Sequence, residues 1–319
     1  MHVDNDFPLF PNFRKLDIDS DKDTYNSFYK QFPIYADFSF GNLFIWINLN
    51  NDLKVAQLEN GLIYQCTNPL ENNQQTITIL GNSFTNHSLD KLFDYQRNSG
   101  IQPKLSEVPE FVTETININK YKITENRDSF EYLLSTHEHS ELAGHSFSKL
   151  RRKVGCFRRL HEPANITWEI CDKLTNEKVK QLSQLVNSWG LSYHDATESN
   201  EYIEYNNFED KVIQKTLSYF NKLDMALLMV YLDDKPIAFV TYQFLPQKGY
   251  VTINHFKVNY NIKYAFDFTT HVLATELHLA GIHTMNFEQD LGIPGLRAHK
   301  ERLRPIDMLR KIDIEPKVT

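Results

Sequence analysis

The sequence predicts an α+β fold in two subdomains, and three observations carry that expectation. Each half of the chain opens on a helical pattern and continues into short alternating strands. The second half then adds a helix, a strand and a further helix. The 319 residues, 41% hydrophobic and 13% aromatic, also carry more apolar surface than one small core needs. The texture changes near Ser140, which sets the expected subdomains at 1–140 and 141–319. No tandem repeat and no low-complexity linker separates them.

In the first half, residues 21–32 place Tyr25, Phe28 and Tyr29 at helical spacing, and Pro33 ends the pattern. The apolar run 38–46 reads as a passage from helix to strand. Residues 54–58, 62–66 and 76–80 alternate like strands of an antiparallel meander. The first two are joined across Glu59-Asn60-Gly61, whose Asn-Gly pair signals a hairpin turn, and an Asn-rich stretch at Asn72 and Asn73 precedes the third. Residues 89–97 predict a helix closed by Asn98-Ser-Gly100, and 110–117 a strand.

The second half begins with a basic, helix-compatible segment, 141–159. A strand at 166–170 follows, then an amphipathic helix at 177–189 with Val179, Leu182, Leu185 and Val186 on one face. Strands are predicted at 226–232, 237–244 and 250–256, and a helix carries Ala265, Phe268, Val272, Thr275 and Leu279 to a stop at Gly281. A short strand at 282–287 leads through a loop into a helix that Pro294 opens.

Composition narrows the function. A formal charge of −7 does not mark a general nucleic-acid binder, although it leaves room for a local basic site. Cys66, Cys156 and Cys171 form neither a disulfide framework nor a metal spacing, as in a reducing compartment. The N-terminal residues lack a basic and apolar leader, and the apolar run 43–47 is far shorter than the roughly 20 residues a bilayer crossing needs. A soluble, cytoplasmic protein is expected. His137, Glu138, His139 and His145 lack a zinc-like ligand spacing, so no metal is assigned.

Four segments carry a resemblance: Phe38-Ser-Phe-Gly-Asn-Leu-Phe-Ile-Trp46; Glu141-Leu-Ala-Gly144 leading into Lys149-Leu-Arg-Arg-Lys153; Pro236-Ile-Ala-Phe239; and Asn286-Phe-Glu-Gln-Asp-Leu-Gly-Ile-Pro-Gly-Leu-Arg-Ala-His-Lys300 with Arg304-Pro305. Together they resemble the soluble C-terminal domain of phosphatidylglycerol lysyltransferases, over most of the chain. The last segment is long and specific. The resemblance implies two tandem acetyltransferase-like (GNAT) subdomains and kinship with enzymes that move an aminoacyl group from aminoacyl-tRNA to a lipid or peptidoglycan acceptor. The four segments include nothing of the membrane-embedded part of the lipid-modifying enzymes, so no flippase role is expected. The strand end that often reads His-x-Glu-Lys in the family reads His255-Phe256-Lys257-Val258, without the glutamate.

Acyl transfer needs a base near the acceptor, stabilisation of the oxyanion and a grip on the donor. Glu288 and Asp290 are the catalytic candidates, able to hold a donor ammonium or deprotonate an acceptor; the competing reading makes Asp290 a helix cap. Arg297 and Lys300, three apart on one helical face, are candidates for a phosphate clamp, or for ion pairs with those carboxylates. Gly292 would let the backbone approach a ligand or shape the turn, and His255 would line an acceptor cleft with Tyr250 and Tyr264, which equally fit packing roles. Lys149, Arg151, Arg152 and Lys153, with Arg158 and Arg159, form the candidate contact for nucleic acid or an anionic headgroup. Arg302, Arg304, Arg310 and Lys311 form a second basic zone. The segment 258–265, where an acetyltransferase would carry its glycine-rich pyrophosphate loop, contains no glycine, so acetyl-CoA is not favoured and no cofactor is assigned. The expected partner is an aminoacyl-tRNA or a small-molecule acyl donor, with peripheral lipid contact left open. The alternatives are a non-catalytic binding module for a nucleotide, amino acid or anionic lipid, and a coenzyme A-dependent acetyltransferase.

Overall fold

The computed structural model describes residues 7–47, 49, 51–68, 74–162, 164–194 and 200–317. The chain forms two compact units: Met1–Tyr132 with Glu288–Leu303 and Asp307–Thr319, and Leu133–Phe287 with Arg304–Ile306. This partition differs from the linear halves 1–140 and 141–319, because two C-terminal segments return to the first unit. The stretch at Asn72 and Asn73 lies outside the described residues.

Unit 1 begins with β1 (Arg14–Lys15) and α1 (Lys22–Tyr29), which buries Tyr25, Phe28 and Tyr29 as their helical spacing requires. The run 38–46 is helical apart from the extended Ser39, correcting the expected passage into a strand. A 3-10 turn (Ala36–Phe38) leads into α2 (Phe40–Asn42), whose Ser39 side chain accepts from the Asn42 N–H, and the chain continues as a π-helical turn (Leu43–Ile47). Phe40, Leu43, Phe44 and Ile45 are all buried, and a segment apolar on every side shows no period that separates helix from strand. β2 (Lys54–Leu58), β3 (Gly61–Asn68) and β4 (Gln74–Leu80) form the expected antiparallel meander, with β1 on the outer side of β2. The hairpin turn is Glu59-Asn60, and Gly61 already pairs with Leu58. Glycine is required there because a Cβ would stand 2.3 Å from the Phe84 ring. α3 (Asn86–Asn98) carries a Thr85/Ser88 capping box. β5 (Leu105–Pro109) then takes the strand role expected of 110–117. Residues Glu110–Thr115 instead form 3-10 turns, and Val112 and Ile116 reach the core four residues apart, a helical interval. β6 (Tyr121–Glu125) and the start of β7 (Glu131–Ser135) complete this stretch.

Unit 2 takes β7 from Leu133 onward, then α4 (Thr136–Glu141) and α5 (Ser148–Leu160), separated by a bend at Leu142 and Gly144, both at positive φ. β8 (Ile166–Cys171), α6 (Asn176–His194) and α7 (Asn200–Tyr219) follow; α7 was not expected from the sequence. β9 (Met225–Leu232), β10 (Lys235–Phe244) and β11 (Tyr250–Val258) are antiparallel neighbours, with β8 beyond β9. α8 (Ala265–Leu279) returns the chain to β12 (Thr284–Gln289), which runs parallel to β11 and lies between β11 and β7. The parallel register covers only Tyr250–Thr284, Val251–Met285 and Thr252–Asn286. Helix α8 packs against α4 and α5, and Phe157 stacks on Phe268 at 4.3 Å.

The chain re-enters unit 1 at Glu288. α9 (Pro294–Arg302) has Pro294 at its first turn as expected, and β13 (Asp307–Leu309) and β14 (Lys311–Pro316) end the fold. β14 inserts between β5 and β6, so the C-terminus closes a core of Ile63, Ile79, Phe93, Leu105, Val108 and Ile314. The molecule is α+β, with mixed, mainly antiparallel sheets flanked by helices, as expected. Among the described residues no helix is long and apolar enough to cross a membrane.

Candidate functional site

β12 ends in an unusual backbone. Glu288 adopts φ +57 and Leu291 φ +54, both in the left-handed region that costs a non-glycine residue about 1–2 kcal/mol. Such strain persists only where the surroundings hold it. Asn42 on α2 donates to Glu288 Oε1 at 2.7 Å, Lys300 Nζ donates to the Gln289 carbonyl at 2.6 Å, and Gln289 Nε2 donates to Asp37 Oδ1 at 3.2 Å. Burial pushes the Glu288 carboxyl up to about 8. Asn42 and Lys300 work against that shift, and Asp37 and Glu131 add to it. A carboxyl that exchanges its proton near neutrality is suited to general acid–base chemistry.

Asp290, only two residues on, is a different kind of group. It is fully buried, and five donors converge on it: Arg297 Nε at 2.9 Å and Nη2 at 2.8 Å, Arg127 Nη1 at 3.0 Å, the Tyr132 hydroxyl at 2.5 Å and the Gly292 N–H at 2.9 Å. Burial alone would raise its pKa, but the bonds from Arg297, Tyr132 and Gly292 outweigh it and hold the carboxylate below its ordinary range. With its lone pairs occupied, Asp290 is an anchor for Arg297 and Arg127. It does not cap α9 directly; Ile293 is the cap residue, and Asp290 shapes the turn before it.

Arg297 also donates to Asp128 Oδ1 at 2.6 Å and keeps a side chain 30% exposed. Lys300, three residues further, is buried and stands over the Tyr132 ring at 5.9 Å. The structure thus brings Asp290 and Arg297 into contact and ties Lys300 to the Glu288-Gln289 backbone. Lys300 is buried, whereas Arg297 keeps part of its side chain exposed. Gly292 has φ +72, and a Cβ there would lie 2.7 Å from Asp128 Oδ2, so its close approach is to the protein's own carboxylate.

Sequence reasoning missed the buried half of this constellation. Lys311, assigned above to a surface basic zone, is fully buried and bonded to Asp37 and, at 2.7 Å, to Glu131. Arg302, Arg304 and Arg310 are exposed. Arg127 and Tyr132 were also missed. The only signal for Lys311 was its place in the alternating run 311–316, Lys-Ile-Asp-Ile-Glu-Pro, which reads as a strand.

The remaining candidates lie in unit 2. His255 on β11 is buried and hydrogen-bonded to the Thr216 hydroxyl of α7 at 2.8 Å; burial, helped by the Lys257 charge, lowers its pKa to about 3, so it is neutral. Lys257, two residues on, pairs with Glu209 of α7 at 2.6 Å. Gln243, Thr252 and Asn286 stand in register across β10, β11 and β12, a buried polar row that sequence reading passed over. Tyr250 opens β11, and Tyr264, at φ +66, precedes α8. On α5, Arg151 donates to the carbonyls of Leu142 and, at 3.1 Å, Gly144, and Lys153 pairs with Asp267 at 2.8 Å. Arg158 lies over the Phe268 ring at 5.7 Å and Arg159 donates to Cys156 Sγ at 3.2 Å, whereas Lys149 and Arg152 are exposed. The residues before α8 include no glycine, and Asp267 puts a carboxylate in the helix's first turn.

A family model described as phosphatidylglycerol lysyltransferase, C-terminal, matches residues 30–312. Among solved structures the chain is similar to a conserved protein of unknown function from Bacteroides thetaiotaomicron, with 20% identity, TM-score 0.80, and coverage of 96% of this chain and 99% of that one. It is similar to L-PGS from Bacillus licheniformis at 13% identity and TM-score 0.60, covering 94% and 93% of the two chains. It is similar to FemX at 11% identity and TM-score 0.54, covering 96% and 97%. At these identities the likenesses speak to fold. No curated protein sequence matches. The family match spans most of the chain, including the whole of the Glu288–Lys300 segment, so this protein belongs to the family of the phosphatidylglycerol lysyltransferase C-terminal domain.

Proposed function

We propose that the protein is an acyltransferase that moves an aminoacyl group from an activated donor of the aminoacyl-tRNA type to an amine or hydroxyl acceptor. The observation that carries this reading is Glu288: a carboxyl raised to about 8, held by Asn42 on a left-handed backbone, inside the motif that the family match spans. In the proposed step the acceptor's N or O attacks the donor's ester carbonyl while Glu288 takes its proton. The tetrahedral intermediate then collapses, and the proton passes to the departing ribose oxygen. No covalent enzyme intermediate and no metal is invoked. Asp290 serves by fixing Arg297 and Arg127, and Arg297 meets a donor phosphate once exposed Asp128 swings aside. Lys149 and Arg152, both exposed on α5, are assigned to phosphate contacts.

The acidic first turn of α8 and its glycine-free approach support a donor other than coenzyme A. An aminoacyl-tRNA donor also places the reaction in the cytoplasm. The test is thermal stabilisation by acetyl-CoA, by non-hydrolysable aminoacyl-adenylate analogues and by tRNA. Stabilisation by the analogues or by tRNA, lost in Arg297→Ala, is expected. Stabilisation by acetyl-CoA alone would overturn the reading.

A further inference from the structure

We propose that Asp37 is a positioning residue for Glu288, holding it through Gln289 from an anchor on the buried Lys311. This rests on the reading of Glu288 as the proton acceptor. The geometry is a chain of contacts within unit 1. Gln289 Nε2 donates to Asp37 Oδ1 at 3.2 Å, and the other Asp37 oxygen takes the Lys311 ammonium. Lys311 also bonds Glu131 at 2.7 Å, and Glu131 in turn accepts the Ala36 N–H at 2.6 Å, one residue before Asp37. The turn bearing Asp37 is therefore fixed twice to one fully buried lysine.

Lys311 touches two carboxyl groups, and a third, Glu107, is close enough to raise its pKa further. Among the groups bearing on Glu288, Asn42 and Lys300 favour its ionised form, and Asp37 and Glu131 oppose it; burial acts in the same sense as the two carboxyl groups. Removing the Asp37 charge while keeping its shape should lower the proton affinity of Glu288. Cutting the Gln289 link should free the strained backbone at φ +57.

The experiment is a 13C titration of glutamate side-chain carboxyls in the intact chain, with the Glu288 signal assigned by its loss in Glu288→Gln. The wild-type midpoint is expected at about 8. Asp37→Asn should move it down by about one pH unit. Gln289→Met, which leaves every charge in place, is the second variant and should also move it. Each variant is checked for folding by its thermal transition, and if Asp37→Asn does not fold, Gln289→Met decides. Folded variants whose Glu288 midpoint stays at the wild-type value overturn the positioning role. A wild-type midpoint in the ordinary carboxylate range is a different failure: it removes the proton-acceptor reading itself.

Discussion

Replacing Asp290 by Asn keeps the shape and removes the charge on which Arg127, Tyr132, Arg297 and the Gly292 N–H converge. Hydrogen bonds to a charged group contribute about 1.5–3 kcal/mol each, and breaking a buried ion pair by removing one partner costs about 3–5 kcal/mol. The side chains of Arg127 and Arg297 are 29% and 30% exposed, so water rehydrates part of what they lose. That places the expected cost near the lower bound, about 3 kcal/mol. For a domain of 150–250 residues this corresponds to a fall in Tm of about 6–12 °C.

The pH dependence separates this cause from a general packing defect. The folded pKa of Asp290 lies below its unfolded value. Its stabilisation is therefore complete above the ordinary Asp pKa of about 3.9 and is lost as pH falls through the lower folded value. Thermal melts of wild type and Asp290→Asn at pH 7 should differ by the full amount, and the gap should close as the pH drops below about 4. A difference under about 1 kcal/mol at pH 7 would refute the anchoring role, since a surface pair contributes no more than that. A gap that persists unchanged into acid would refute it too.

Gly292→Ala should cost about 1–2 kcal/mol, because it combines a left-handed backbone with a Cβ 2.7 Å from Asp128; urea midpoints measure it, and Gly295→Ala, with nothing near its Cβ, is the control. Lys311→Met should destabilise by about 3–5 kcal/mol by leaving Asp37 and Glu131 uncompensated. Lys311 has a raised folded pKa, so its contribution is whole below the unfolded lysine value of about 10.4 and is lost only as pH rises through the higher folded value; the variant's deficit should hold constant from pH 7 to about 10. The double variant Lys149→Ala, Arg152→Ala should flatten the salt dependence of tRNA binding by about 0.7–0.9 in logarithmic slope for each phosphate contact removed, whereas Arg151→Ala should act first on folding, since Arg151 holds two backbone carbonyls.

Where periodicity was strong the sequence was readable. Helix α8 lies at the expected residues, and the meanders β2–β4 and β9–β11 follow short β-branched and aromatic runs bounded by turn residues; β9–β11 are buried almost continuously. The run 38–46 misled because it is apolar on all sides, and 110–117 misled because two buried residues four apart can belong to a strand or a tight helix. In the motif, Glu288, Asp290, Arg297 and Lys300 were all legible as candidates, yet their roles were not. Two residues separate a carboxyl raised to about 8 from one held below its ordinary range, and the difference comes from partners distant in sequence: Asn42 and Asp37 on one side, Arg127 and Tyr132 on the other. Lys311 read as a surface cation because nothing local announces that a lysine will be enclosed between two carboxylates. Such pairings depend on tertiary closure by β14, which spacing along the chain does not encode.

The measurement that bears most directly on the account is single-turnover aminoacyl transfer from aminoacyl-tRNA to amine and hydroxyl acceptors, followed across pH 6–9 for the wild type and Glu288→Gln. The account predicts a wild-type rate that rises with pH and levels off above an apparent pKa near 8, as Glu288 loses its proton. It predicts that Glu288→Gln loses about 10²–10⁴-fold in rate together with that pH dependence. Transfer that proceeds in Glu288→Gln at the wild-type rate, with the same profile, would contradict it.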